Sequence, residues 1–217
     1  MFSVINRWET LPYWSVTVVD VADGTMTKSR IDVCSKGEGW SIFMLDIDAN
    51  SDCEATRNNV RVDHSADARW SALARINSKF FQGDVAIASA CLAIGTADGL
   101  IRVAFADFPS VFVKHRTGSI RRILGGGAPL GLFAEMRFPE KICMLDRGEA
   151  VTFVNKGAQR LLDDGLITAH NFFSGRVHER DCLPQLPFAA TAITIRRTEC
   201  AIAEPQHASG AESLVCA

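Results

Sequence analysis

Apolar and β-branched residues alternate with polar ones along much of the chain, which predicts a protein built mainly of strands. Residues 14–21 (WSVTVVDV) show this alternation, and residues 40–45 (WSIFML) form a run typical of a buried strand. Comparable runs follow at residues 85–94, 100–105, 111–113, 150–154 and 191–196. Asp98-Gly99 and Thr117-Gly118-Ser119 stand between consecutive runs, and such turn signals predict hairpins.

Helical spacing is confined to two parts of the chain. Between residues 51 and 81, apolar side chains from Trp70 to Phe80 recur every three or four residues, which predicts one or two helices broken near residues 63–65. A shorter helix is predicted at residues 158–162. The predicted order along the chain is strands, a helical block, a long meander of strands and a late helix. This order is typical of an α+β layered sandwich and not of a doubly wound fold.

Length and composition fit a single folded domain. The chain has 217 residues, of which 47% are hydrophobic and 22% charged, so it can bury a sizeable core. We expect this domain to span residues 1–198. Residues 199–217 are rich in Ala, Glu, Ser and Gln, and this composition predicts a flexible C-terminal tail.

Charge and cysteine usage exclude several classes of protein. A formal net charge of −2 argues against nucleic-acid binding, which depends on clustered Lys and Arg. No apolar segment is long enough to span a membrane, so we expect no membrane partner. The seven cysteines are scattered without a C-x-x-C pair, as is typical of reduced thiols. These features predict a cytoplasmic protein.

Two acids at the end of a predicted strand are the best candidates for metal ligands. Asp46 and Asp48 flank Ile47 directly after the buried run 40–45, and strand alternation points both carboxylates to the same side. Mg²⁺ and Mn²⁺ prefer such oxygen ligands. The alternative is that the two acids only terminate the strand. The glycines at 125–127 lack a following Lys-Ser or Lys-Thr and are interpreted as a loop.

Three stretches of the sequence match a known family. Residues 100–132 (LIRVAFADFPSVFVKHRTGSIRRILGGGAPLGL) are similar to a strand, an "AGHPP"-type turn, a glycine hairpin and a "G.PLG" loop. Residues 145–151 (LDRGEAV) are similar to an "L-x-P-G-D" segment, and residues 70–77 (WSALARIN) to a helix ending in "LL..LN". These motifs resemble the SpoIIE/RsbX-like branch of the metal-dependent (PPM, type 2C) protein serine/threonine phosphatases, and the resemblance extends over residues 17–197.

The resemblance implies a four-layer α-β-β-α sandwich, in which two antiparallel sheets are flanked by helices. In that family, aspartates at one end of the sandwich hold two Mg²⁺ or Mn²⁺ ions. A water that bridges the metals then attacks a phosphoserine or phosphothreonine in line.

Carried over by position, the resemblance retains one acid clearly. Asp46 matches the aspartate of the family's "D-x-x-G-H-G" turn, but Ala49 and Asn50 stand where its glycine and histidine belong. Asp32 is the candidate for the family's first acid.

The two later metal motifs lose their acids. Lys156 stands at the aspartate of the "T/S-D-G" turn, followed by the expected Gly157. Phe188 and Ala189 replace both aspartates of the "D-D-x-T" motif, whose threonine survives as Thr191.

These replacements predict the loss of the two-metal centre, because two divalent ions need several carboxylates to offset their repulsion. We expect either one Mn²⁺ or Mg²⁺ ion at Asp46, Asp48 and Asp32, or no metal; Asp163 or Asp164 is an alternative ligand. No catalytic residue is assigned.

Three hypotheses about function follow. The first is a degenerate phosphatase of bacterial partner-switching signalling, which binds a regulatory protein carrying a phosphorylatable Ser or Thr, of the anti-sigma antagonist type. The second is an active, divergent Mn²⁺- or Mg²⁺-dependent phosphatase. The third is a scaffold or homodimerisation domain that uses the apolar helical surface around Trp70.

Overall fold

The computed structural model describes residues 7–11, 13–22, 27–36, 38–48, 69–82, 88–174 and 189–199. These residues form eleven strands: β1 (Arg7–Leu11), β2 (Trp14–Ala22), β3 (Thr27–Lys36), β4 (Gly39–Asp48), β5 (Ser89–Gly95), β6 (Leu100–Ala106), β7 (Val111–Lys114), β8 (Ile120–Ile123), β9 (Glu140–Met144), β10 (Ala150–Val154) and β11 (Ala190–Arg197). The described helices are α1 (Arg69–Gln82), α2 (Lys156–Asp163) and α3 (Ala169–Ser174). None of them is long and apolar enough to cross a membrane.

The strands form two antiparallel sheets. One has six strands in the order β1-β2-β11-β10-β7-β8, and the other has five in the order β3-β4-β5-β6-β9. The hairpins predicted at residues 95–99 and 117–119 join β5 to β6 and β7 to β8. The middle of the six-stranded sheet is built from strands far apart in sequence, since β2 and β10 both pair with β11.

The two sheets pack face to face around aromatic side chains. Trp40 of the five-stranded sheet makes edge-to-face contacts with Trp14 and Phe153 of the six-stranded sheet, at centroid distances of 5.6 and 6.2 Å. A Cβ atom on Gly95 would lie 2.2 Å from the Trp40 ring, so this packing requires glycine there. Cys91 is fully buried in the same core, and burial raises the pKa of its thiol.

Helices cover the outer face of each sheet. Leu73, Ile76 and Phe80 of α1 pack with Phe43 and Leu45 of the five-stranded sheet. The buried faces of α2 and α3 pack on the six-stranded sheet through Ala158, Leu161, Phe172 and Phe173. The predicted four-layer α-β-β-α sandwich is therefore confirmed.

Some elements differ from the sequence prediction. The pattern missed β1, β3 and β9, whose residues mix polar and apolar side chains, and α2 begins two residues before the predicted helix. β9 lies at a sheet edge and is mostly exposed, so its sequence lacks the apolar run of a central strand. The predicted helix break at residues 63–65 and the predicted tail after residue 199 lie outside the described residues.

Candidate functional site

One end of the sandwich collects polar side chains from both sheets. In the five-stranded sheet, cross-strand pairing places Asp46 of β4 between Ser29 of β3 and Ser89 of β5. The turn after β6 and the junction between β10 and α2 reach the same end. We call this set the polar end, and its members are Ser29, Asp46, Ser89, Asp107, Asn155 and Lys156.

Asp46 is the buried centre of the polar end. Only 8% of the residue is exposed, and even-numbered neighbours in β4, such as Trp40 and Met44, face the core between the sheets. The Ser29 hydroxyl donates to Asp46 Oδ1 at 2.6 Å, and the backbone N–H of Lys156 donates to Oδ2 at 3.3 Å. Burial raises the pKa of Asp46, while these hydrogen bonds and the Asn155 amide oppose that rise.

Asn155 joins the two sheets and starts α2. Its Oδ1 accepts the N–H groups of Ala158 at 2.9 Å and Thr191 at 3.0 Å, so one atom caps the helix and holds the start of β11. Its Nδ2 donates to the Ala189 carbonyl at 2.7 Å and to Ser29 Oγ at 2.8 Å, and lies 3.4 Å from Asp46 Oδ1. The sequence analysis missed this residue, although an Asn directly before a helical pattern is an N-cap signal.

Lys156, whose backbone N–H binds Asp46, forms an ion pair with Asp107. Its Nζ lies 2.5 Å from Asp107 Oδ2, with the two side chains 50% and 41% exposed. Ser89 Oγ donates to the same carboxylate oxygen at 3.3 Å. The ammonium group that the motif match aligns with the family's aspartate is thus bound to a residue that the sequence analysis did not single out, and only the Lys156 backbone hydrogen-bonds to Asp46.

Asp107 occupies an unusual backbone conformation. Its φ of 49° lies in the left-handed region, which glycine adopts freely and aspartate more readily than most other residues. In the motif match, Asp107 aligns with the glycine of the "AGHPP"-type turn, and here it places a carboxylate at that position. That carboxylate is what binds Lys156.

Three of the other predicted ligands, Asp32, Asp163 and Asp164, are not gathered around Asp46. Asp32 is paired across the strands with Phe43, which faces α1, and its carboxylate pairs with Arg30 at 2.8 Å. It therefore lies on the opposite face of the sheet. The backbone of Asp48 continues β4 opposite Thr27, while its side chain and the residues Ala49, Asn50 and Phe188 lie outside the described part. Asp163, which accepts a hydrogen bond from Gln159, and Asp164 lie at the far end of α2.

The first turn of α2 packs on the chain that leads into β11. A Cβ atom on Gly157 would lie 2.1 Å from the Ala189 carbonyl oxygen and 2.8 Å from its carbon. Both are backbone atoms, and Asn155 fixes the same carbonyl by a hydrogen bond. The glycine retained in the "T/S-D-G" turn therefore has a packing role.

Replacement of Gly157 by alanine is expected to lower the free energy of unfolding by about 2–3 kcal/mol, because the backbone must move to admit a methyl group. Urea denaturation measures this change. Arg160→Ala on the exposed face of α2 is the control, with an expected change within about 0.5 kcal/mol. Equal effects of the two substitutions would refute the packing role.

The residues of the polar end do not fit a divalent metal centre. Both Asp46 oxygens face N–H or O–H donors, and the nearby ammonium group of Lys156 repels a cation. Asn155 Oδ1, a possible metal ligand, already accepts two backbone N–H groups. Among the residues that the structure describes, no group of three or more His, Cys, Asp or Glu side chains could hold a metal ion.

Two stacked antiparallel sheets, covered by helices and carrying a polar end, are the architecture of the PPM-type phosphatase fold. The chain is similar to a Mycobacterium tuberculosis protein with RsbU and RsbW domains, at a TM-score of 0.67 and 18% identity. The match covers 89% of this chain and 64% of that one, so the chain spans less than two thirds of its length.

Two further structures share the fold. RsbX, solved in complex with magnesium, matches at a TM-score of 0.64 and 10% identity, over 88% of this chain and 98% of that chain. The phosphatase-domain structure of SpoIIE from Bacillus subtilis matches at 0.60 and 13%, over 87% and 64%. No family model and no curated protein matches the sequence. The predicted resemblance to SpoIIE/RsbX-like phosphatase domains is confirmed for the fold.

Proposed function

We propose that the protein is a regulator of the partner-switching type, which keeps the phosphatase fold and binds a protein partner without hydrolysing its phosphate. The observation that carries this proposal is the hydrogen bonding of the Asp46 carboxylate within the protein. Its carboxylate binds protein donors from both sheets, and a lysine paired to Asp107 stands at a position that the family uses for a metal ligand. Such a site does not fit the metal ion that would activate a water molecule.

The structural relatives support a regulatory protein as the partner. They include RsbX, a protein with RsbU and RsbW domains, and a component described in work on the bacterial stressosome. We propose a regulatory protein as the partner of this chain, one that carries a phosphorylatable Ser or Thr and is of the anti-sigma antagonist type. The exposed Lys156–Asp107 pair marks the surface that such a partner would meet.

The competing hypothesis of an active phosphatase predicts metal-dependent turnover. We expect phosphate release from a phosphoserine peptide, in millimolar Mn²⁺ or Mg²⁺, to be no faster for the wild type than for Asp46→Asn. We also expect no heat of Mn²⁺ binding in calorimetry. Metal-dependent turnover that Asp46→Asn abolishes would establish the enzyme hypothesis and exclude ours.

Partner binding is tested by crosslinking at the polar end. A photoreactive amino acid at position 156 is expected to capture a regulatory protein that carries a phosphorylatable Ser or Thr, identified by mass spectrometry. The same amino acid at position 160, exposed farther along α2, is the matched control. Equal capture at both positions, or none at position 156, counts against a partner at this end.

A further inference from the structure

The outer edge of β8 is an open strand edge. β8 is the last strand of the six-stranded sheet and pairs only with β7 among the described strands, so its second edge carries backbone groups without a strand partner. Ile120 within it and Leu124 just after it are 38% and 67% exposed. Proteins usually protect such an edge, because its N–H and C=O groups pair readily with another extended chain.

Two arginines place positive charge on both faces of this edge. Arg122 is opposite Phe112, with its guanidinium 5.8 Å from that ring and its Nε donating to Ser110 Oγ at 2.5 Å. Arg121 is opposite Val113, whose side chain lies in the core between the sheets. Within the described part of the chain, neither arginine is paired with a carboxylate.

The sequence of β8, Ile-Arg-Arg-Ile, disfavours pairing with a second copy. In a continuous antiparallel sheet with twofold symmetry, the residue at the centre faces its own copy. A pair centred on β8 would therefore set Arg121 against Arg121 or Arg122 against Arg122, and like charges directly opposite each other are destabilising. A strand that complements the Ile-Arg-Arg-Ile sequence of β8 therefore has two acidic residues between two apolar ones.

We propose that the edge of β8 binds an extended acidic segment of a partner protein, with the pattern apolar-acid-acid-apolar, by strand addition. The acids pair with Arg121 and Arg122, the apolar side chains pack beside Ile120 and Ile123, and the backbones form a ladder. This surface is separate from the polar end, so the inference goes beyond the proposed function, and failure of either one leaves the other standing.

The test is fluorescence anisotropy with the labelled peptide Thr-Val-Glu-Glu-Val-Thr and the whole protein. The double variant Arg121→Glu/Arg122→Glu is expected to bind it at least about tenfold more weakly and to prefer the matching Lys-Lys peptide. The matched control, Arg75→Glu/Arg160→Glu, makes the same change in net charge at exposed helix positions and is expected to retain the affinity. Equal weakening in the control would overturn the proposal.

Two further measurements separate strand addition from other modes. The peptide is expected to slow amide hydrogen exchange in residues 120–123 of the wild type, and N-methylation of its backbone is expected to abolish binding. Undiminished binding of the methylated peptide would reduce the surface to a simple electrostatic contact and refute the proposal. A wild-type dimer in sedimentation that the edge variant loses would assign the edge to a second copy and also refute it.

Discussion

Replacing Asn155 by aspartate is expected to lower the free energy of unfolding by about 3–5 kcal/mol at neutral pH, although the two side chains have nearly the same shape. The new carboxylate keeps the acceptor for the N–H groups of Ala158 and Thr191. It loses the amide hydrogens that bind Ala189 and Ser29, and it places a second negative charge beside Asp46. Urea denaturation measures the change.

The pH dependence distinguishes charge repulsion from lost packing. Two neighbouring buried carboxylates raise the pKa of at least one of them above its unfolded value. A group of this kind stabilises the fold most below its unfolded pKa and loses that contribution as the pH rises through its folded pKa. The Asn155→Asp variant is therefore expected to recover stability as the pH falls toward 4. Asn155→Ala, which adds no charge, is the control, and a similar recovery in it would contradict this explanation.

Truncation of Asp46 is expected to have the second-largest effect, a loss of about 2–4 kcal/mol in Asp46→Ala. The substitution leaves the Ser29 hydroxyl and the Lys156 N–H without their acceptor in a buried setting. Asp164→Ala, at an exposed acid at the far end of α2, is the control, with an expected change within about 0.5 kcal/mol. A smaller effect in Asp46→Ala than in this control would show that the buried carboxylate is dispensable.

Titration of Asp46 gives an independent readout. Because burial raises its pKa above the unfolded value, the contribution of Asp46 to stability is greatest below that unfolded value and falls as the pH rises through the folded pKa. Asp46→Asn removes this titration, so its unfolding free energy is expected to depend less on pH over that range. An unchanged pH slope would place the titration elsewhere. Added EDTA or Mn²⁺ is expected to leave the stability of the wild type unchanged.

Local patterns in the sequence predicted most of the central strands. The runs at residues 40–45, 100–105 and 150–154 correspond to β4, β6 and β10, which lie inside the sheets and bury apolar side chains. The pattern failed for β3 and β9, which lie at the edges of the five-stranded sheet. An edge strand is half solvated, so its sequence carries a weaker apolar signal.

The polar end was predicted only in part. Asp46 could be found because it follows a buried strand directly, and strand ends are a common place for polar groups. Asn155 and Asp107 could not be found in this way, because the residues they bind are remote in sequence. Asn155 contacts Asp46 across 109 positions, and Lys156 contacts Asp107 across 49. The motif match singled out Lys156 but did not identify its carboxylate partner.

The sequence by itself determined most of the central strands and the alternation of buried and exposed side chains along them, and it predicts that the two later metal motifs have lost their acids. These properties depend on neighbours within a few positions, where the two-residue period of a strand acts directly. Only the tertiary structure decided that Asp46 is bound by donors from both sheets, that Asp32 points away from it, and that Lys156 pairs with Asp107. Hydrogen bonds and ion pairs between sheets depend on how the sheets stack, and that stacking is set by the whole core.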